Sequence, residues 1–301
     1  MSEIDATSLI PTHDHAALLP VAIASALAQR SASFKIFVVG DGVGDGTRKV
    51  IAQYADDPRV RFFDFPKGER HGELHRHVTL LEARGAMVCY LCDDDVLMPG
   101  HVAEMRHLLA DADFAHSTPV TVDPDGILVY RPDLARPEFL ALIREGRNNF
   151  IGLTGAAHTR ALYDRLPEGW RPAPPGTPTD IHMWRQICSL PDLRGATATR
   201  LTAIHFPNPA WRELKDTVRV AALGEWLERT LRPSGEDELQ KLLEIAVRRA
   251  AQDFKLRSIH LSRTLDEAIR ECQRLCAPWW RKLARRALRF ARSRTLRERF
   301  R

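Results

Sequence analysis

Three aspartates, Asp93, Asp94 and Asp95, stand side by side directly after the apolar run AMVCYLC. Adjacent carboxylates repel one another, so such a cluster must be solvated or neutralised by a cation or a set of donors. Mg2+ and Mn2+ favour carboxylate oxygens together with phosphate oxygens of a substrate, so one aspartate could ligate a cation while a neighbour accepts from a sugar hydroxyl. A second polar stretch, GDGVGDG, follows the strand-like run FKIFVVG. It departs from the dinucleotide fingerprint, because glycines at 40 and 42 require a third at 45, where Asp45 stands. Asp41 would repel a pyrophosphate and suits a uracil ring N–H or a ribose hydroxyl instead. A third stretch, Pro11, Thr12, His13 and Asp14, closes the first strand-like segment.

Other reactive residue types carry weaker signals. HGELH at 71–75 looks like a zinc-protease helix, but Gly72 stands where the glutamate must be, which displaces Glu73 toward another face. Cys89 and Cys92 resemble a redox or zinc pair, yet a three-residue offset on a strand sends the two sulfurs to opposite faces, as expected of buried thiols. Cys272 and Cys276 share a helix face by spacing but lack a second ligand pair. Asp180 follows the Pro-rich loop GWRPAPPGTPTD and opens a helical segment, where a carboxylate is either an N-cap or a general base. His205 ends a strand-like stretch and is a candidate metal ligand or phosphate contact as well as a structural histidine.

The elements that must position these groups read as alternating strands and helices. ATSLI, FKIFVVG, RVRFFDF and AMVCYLC have strand character. Helical spacing fills the intervals, over residues 16–30, over TRKVIAQYA and over 75–85, where Gly85 is expected to stop the helix. Pro20 is compatible only with a first turn. This alternation predicts a parallel-type α/β sheet flanked by helices. Ligands in such sheets bind beyond the carboxyl ends of the strands. PTHD, GDG and DDD all fall at such ends, so the three loops should share one rim. Pro and Gly break the pattern between about 117 and 180, and after Pro209 the chain becomes helical and rich in charge.

The totals narrow the function classes. The 301 residues are 44% hydrophobic and 28% charged, which is ordinary for a folded chain. The N-terminus lacks a basic segment followed by an apolar one, and no long uncharged apolar run occurs, so neither a secretory signal nor a membrane span is expected. Five cysteines in a chain of this length suit a reducing cytoplasm rather than a disulfide framework. Residues 281–301 contain ten Lys/Arg and one Glu, or +9, which leaves −4 for the remainder of a total of +5. Nucleic acid is therefore not the expected partner of the main body. The tail 278–301, with Trp280, Leu283, Ala287 and Leu288 at helical spacing, reads as a basic amphipathic helix able to lie on an anionic membrane surface, with a disordered basic tail or a helix packed on its own domain as the alternatives.

Taken in order and spacing, SLIPTHDHAALLPVAIASALAQ, FKIFVVGDGVGDGT and YLCDDDVLMPGH resemble the N-terminal half of a family 2 glycosyltransferase of the GT-A fold. The resemblance is good over residues 6–115 and thinner through 210. It implies a GT-A domain over 1–212, with a nucleotide-sugar half to about 115 and an acceptor half beyond, followed by a helical region 213–301. It also implies transfer of a sugar from a nucleotide-sugar donor, a UDP-sugar being favoured, with Mg2+ or Mn2+ and inversion. The acceptor would be a glycan or a lipid-linked acceptor of bacterial-type surface glycan synthesis, worked on in the cytoplasm or at the inner face of the membrane. Residue by residue, Pro11, Thr12, His13 and Asp14 match the first nucleotide-binding segment, and Asp41 matches the carboxylate that contacts the base. Asp94 matches the metal-binding aspartate of the DxD motif and Asp93 its neighbour near the ribose, but Cys92 replaces the first aspartate of that motif. Metal binding then leans on Asp94, with Asp93 or His205 assisting. TDIHMWR resembles the segment carrying the family's base, which makes Asp180 that base. Nucleotidyl transfer, or an inactive glycosyltransferase-like scaffold at a membrane, are the alternative expectations. The first would bring a basic Gly-rich phosphate loop, which PTHDHAA is not.

Overall fold

The computed structural model describes residues 6–30, 33–124, 126–129, 132–146 and 151–242, with scattered positions from 244 to 270. The amphipathic tail expected at 278–301 and the pair Cys272 and Cys276 lie outside the described residues. The chain forms two compact units, Met1–Leu243 and Glu244–Arg301. Among the described residues no helix is long and apolar enough to cross a membrane.

The first unit begins with the expected alternation. Strands and helices follow as β1 (Ala6–Thr12), α1 (Leu19–Leu27), β2 (Phe34–Asp41), α2 (Asp45–Ala52), β3 (Val60–Phe65), α3 (Glu73–Leu81) and β4 (Met87–Tyr90). The four strands pair in parallel in the order β3-β2-β1-β4. Their side chains alternate between two cores. Leu9, Phe37, Val39, Val88 and Tyr90 enter one, while Ala6, Ile10, Ile36, Val38, Met87 and Cys89 enter the other. Burial on both faces is why these strands read as continuous apolar runs. Pro20 sits in the first turn of α1, where its missing N–H costs nothing.

Gly85 does not stop α3, which ends at Leu81 with Glu82 as its C-cap. A Cβ on Gly85 would lie 2.8 Å from the Ala6 carbonyl carbon and 2.9 Å from Thr7 N, so glycine is required by close approach to β1.

The sheet then turns mixed. β5 (Val96–Leu97), α4 (His101–Leu109), β6 (Phe114–Asp123), β7 (Gly126–Val129), α5 (Pro137–Glu145), β8 (Ala156–Thr159), α6 (Arg160–Asp164), α7 (Thr179–Cys188) and β9 (Gly195–His205) complete it. Beyond β4 the order continues β8-β6-β9-β5, with β7 paired to β6. β8 runs antiparallel to β4 and β6, whereas β6 and β9 are parallel. A short helix α8 (Asn208–Trp211) leads to α9 (Asp216–Leu231). On α9, Arg219, Leu223, Trp226 and Thr230 are buried. That spacing of about one helical turn seats the helix on a third core containing Val120, Leu201, Ile204 and Phe206.

Candidate functional site

The carboxyl ends of β1, β2 and β4 open into one cleft of about 470 Å3. It is lined by Pro11, Thr12, His13, Asp14, Asp41, Asp93, Asp94, Asp180 and His205, so every donor, metal and base candidate from the sequence reaches the same cavity. Three short polar loops converge because parallel strands end together; Asp180 and His205 are delivered by α7 and β9 from the second half of the chain.

The wall built by β1 and β2 is tightly determined. His13 Nδ1 donates to the Asp41 carbonyl at 2.6 Å, which fixes the ring's tautomer and orientation. The Asp41 carboxylate accepts from Lys67 Nζ and from the Gly68 N–H, each at 2.6 Å. Gly72, with φ +67°, passes so near that a Cβ there would lie 2.7 Å from Asp41 Cγ. His75, part of the protease look-alike, stacks on Phe65 with ring centroids 4.5 Å apart and hydrogen-bonds to the Pro66 carbonyl. Its Nε2 also lies 3.5 Å from Asp41, so this histidine supports the donor wall rather than a zinc site.

The three aspartates have three different surroundings. Asp93 Oδ1 lies 2.8 Å from His15 Nδ1. This hydrogen bond chiefly raises the His15 pKa to about 9, so the ring is protonated at neutral pH. Asp94 Oδ2 lies 3.2 Å from Arg219 on α9. Its pKa is nonetheless raised to about 7, first by burial and then by repulsion from Asp95 and Asp93. Asp95 is fully buried and accepts from the Phe206 N–H at 2.7 Å, from the Thr154 hydroxyl and from His205 Nδ1 at 3.0 Å. Burial alone would lower the His205 pKa, but the field and hydrogen bond of Asp95, with help from Asp94 and Asp180, raise it to about 9. Asp95 therefore anchors the loop, and Asp93 and Asp94 face the cleft.

Ligand atoms of His15, Asp93 and Asp94 lie within 4.8 Å of one another, a spacing that suits a divalent cation. Asp94, whose charged form is disfavoured first by burial and then by Asp95 and Asp93, would gain from one. Such a cation would have to displace the proton of His15. His205 is not in this group: its Nδ1 is committed to Asp95, and its protonated ring offers an N–H rather than a lone pair. Cys92, Asp94 and Asp95 form a second close group, but burial raises the Cys92 thiol well above its usual range and Asp95 already accepts three bonds. Cys92 packs against the core opposite to that of Cys89, on the other face of the sheet.

Asp180 stands in the first turn of α7 without capping it. The N-cap is Pro178, and no side chain bonds there. Burial raises the Asp180 pKa, against the opposing pull of Arg76, His205 and His71. A carboxylate that is raised in pKa, does not cap its helix and faces a cleft is poised to take a proton. The loop before it is strapped by Arg70, whose guanidinium donates to the carbonyls of Ala173, Pro174 and Thr177 at 2.5, 3.0 and 3.2 Å. Thr179 donates to Glu73 at 2.8 Å, which ties α7 to α3.

The sequence reading missed His15, Asp95 as anchor, Thr154, Arg76 and Arg219. Arg76 is 7% exposed, donates to the His71 carbonyl at 3.2 Å and lies 4.9 Å from the Trp170 ring. Only His15, one residue beyond a strand-end loop already singled out, carried a local signal. Asp95 and Thr154 meet across 59 residues, and Arg219 meets Asp94 across 125.

Comparison with known proteins agrees with this architecture. Residues 7–167, more than half of the chain, match the Glycosyl transferase family 2 profile. The chain is 31% identical over 124 residues to the chondroitin synthase of Pasteurella multocida, covering 40% of this chain and 13% of that protein. It is also 31% identical over 111 residues to the succinoglycan biosynthesis protein ExoO of Rhizobium meliloti, covering 37% and 30%. The chain thus spans less than a third of each of these relatives. S. aureus TarS 1–349 superposes with a TM-score of 0.54 at 13% identity, over 76% of this chain and 73% of that one. Its complex with UDP-GlcNAc gives 0.55 at 13% identity, over 75% and 66%. These two structures share the GT-A fold with this chain. The protein belongs to glycosyl transferase family 2.

Proposed function

We propose that this family 2 member transfers a sugar from a nucleotide-sugar donor, a UDP-sugar being favoured, to an acceptor hydroxyl with inversion. The observation that carries the reading is the meeting of two separate sets of carboxylates in one cleft. Asp41, Asp93 and Asp94 line the strand-end rim, and Asp180 lines the same cavity from α7, where it leaves its helix uncapped.

In this reading His13 and the β1 loop receive the base, Asp41 orients its donors, and Asp93 meets the ribose. Asp94, Asp93 and His15 would hold Mg2+ or Mn2+, which when bound neutralises charge on the diphosphate. His205, cationic through Asp95, offers its Nε2–H to a phosphate oxygen rather than a lone pair to the metal. Asp180 accepts the proton of the acceptor hydroxyl as that oxygen attacks the anomeric carbon from the face opposite the departing nucleotide, a single displacement that inverts the centre. The strapped Pro-rich loop keeps Asp180 in line during that step. Relatives named for chondroitin and succinoglycan synthesis support a glycan or lipid-linked acceptor in surface polysaccharide assembly. The basic tail would then hold the enzyme at the cytoplasmic face of an anionic membrane.

Calorimetry of UDP with Mn2+ and with EDTA tests the donor site. UDP should bind more tightly with Mn2+ present, and Asp94→Asn should remove most of that gain. Equal affinity in Mn2+ and EDTA overturns the cation's role.

A further inference from the structure

We propose that Arg219 is a positioning residue that governs when the aspartate pair takes up its cation, holding Asp94 until the donor diphosphate arrives. The inference rests on the donor-site reading above. Arg219 belongs to α9, beyond the segment 7–167 that matches the family profile, so the matched segment assigns it no role.

The geometry is specific. The Arg219 side chain is 7% exposed and that of Asp94 11%, and Arg219 Nη2 lies 3.2 Å from Asp94 Oδ2. Nη1 also lies 3.8 Å from Asp216, but that carboxylate is 65% exposed, so the buried partner is Asp94. Leu223 and Trp226, on the same helical face, fix α9 against the third core and so fix the guanidinium. Arg219 does not line the cleft; Asp94 does. The arginine thus holds one oxygen of a carboxylate that lines the cleft, without lining the cleft itself.

A fixed positive charge in that place has two consequences. It aligns the Asp94 carboxylate, and it repels any divalent cation that approaches the same group. Burial weakens screening, so the repulsion is felt strongly. A diphosphate brings negative charge that offsets Arg219, and the repulsion then loses most of its effect. The cation is therefore taken up with the nucleotide and poorly without it.

The test compares Arg219→Gln and Arg219→Lys with the wild type, by electron paramagnetic resonance of free Mn2+ with and without UDP. Without UDP, Arg219→Gln should bind Mn2+ about tenfold or more tightly than the wild type, because the repelling charge is gone. Arg219→Lys, which retains the charge, should stay near the wild type. With UDP, the difference between Gln and wild type should shrink to about threefold or less. Gain of affinity is a readout that loss of folding cannot produce, and Arg219→Met provides a second neutral variant. If the neutral variants bind Mn2+ equally or more weakly, or if their gain persists undiminished with UDP, the role assigned to Arg219 is wrong and the donor site stands. If Mn2+ binds none of the proteins under either condition, the cation reading of the aspartates falls, and this inference with it.

Discussion

Replacing Asp95 by asparagine is the most revealing perturbation of the site, because Asp95 does not line the cleft and yet organises the loop. The carboxylate is fully buried and accepts from Phe206 N–H, Thr154 hydroxyl and His205. An asparagine there keeps the shape and can still accept from Phe206. Its amide turns a donor toward Thr154, and the negative charge opposite His205 is lost. Breaking a buried pair costs about 3–5 kcal/mol. The lower end applies, since the His205 side chain is 35% exposed and removing one of three adjacent carboxylates also relieves repulsion on Asp94. A loss of about 3 kcal/mol lowers Tm by roughly 6–12 °C for a domain of this size. The histidine gives an independent signature. Its pKa stands at about 9 because Asp95 outweighs burial. In Asp95→Asn the main raising influence is gone while burial still opposes the charge, and NMR titration should find His205 well below about 9. The sign of the pH effect follows. A histidine whose folded pKa is raised contributes stability that is fully present below about pH 6.5 and is lost as pH rises through about 9. The variant should lose the His205 part of that slope and keep the part due to His15, also raised to about 9. An unshifted His205 titration together with an unchanged Tm would refute Asp95 as the anchor.

Two further outcomes are expected. Gly72→Ala places a side chain at φ +67° with its Cβ 2.7 Å from Asp41 Cγ; urea unfolding should report a loss of about 2 kcal/mol, and UDP affinity should fall because Asp41 must shift, whereas unchanged values for both would remove Asp41 from the donor wall. Full-length protein should pellet with anionic liposomes at low salt and release as salt rises, while a chain ending at Cys276 should not pellet; equal binding by both would show that the +9 tail is not the anchor.

The half of the fold legible in the sequence is the half whose strands are buried on both faces. FKIFVVG and AMVCYLC are apolar at every position but one because each face meets a core, and the rule that parallel strands end together is enough to bring His13, Asp41 and Asp94 to one rim. The mixed half is less legible. β8 holds only four residues, and β6 shifts register against β9, so neither gives a sustained alternation. The Gly85 assignment failed because a glycine after a helix has two physical explanations, and backbone contact with β1 is invisible locally. The partners of the aspartates are hidden for a related reason. DDD reads as three equal carboxylates, and only tertiary contacts give Asp93 to His15, Asp94 to Arg219 and Asp95 to His205. Asp180 reads as helix cap or base, and in the structure the capping position belongs to Pro178.

The aspartate rim and Asp180 are, in this proposal, the two sides of one sugar-transfer site. The direct measurement is nucleotide release from a panel of UDP-sugars by wild type and Asp180→Asn, with Mn2+ and with water or added saccharides as acceptor. Asp180 does not cap α7, and its charge is opposed by burial, so the variant should melt at the wild-type temperature or slightly above and bind UDP as the wild type does. Its turnover should nonetheless fall by about two to four orders of magnitude, the span expected for loss of a general base. Turnover by Asp180→Asn at the wild-type rate, on a UDP-sugar that the wild type consumes, would show that Asp180 is not the base of this site.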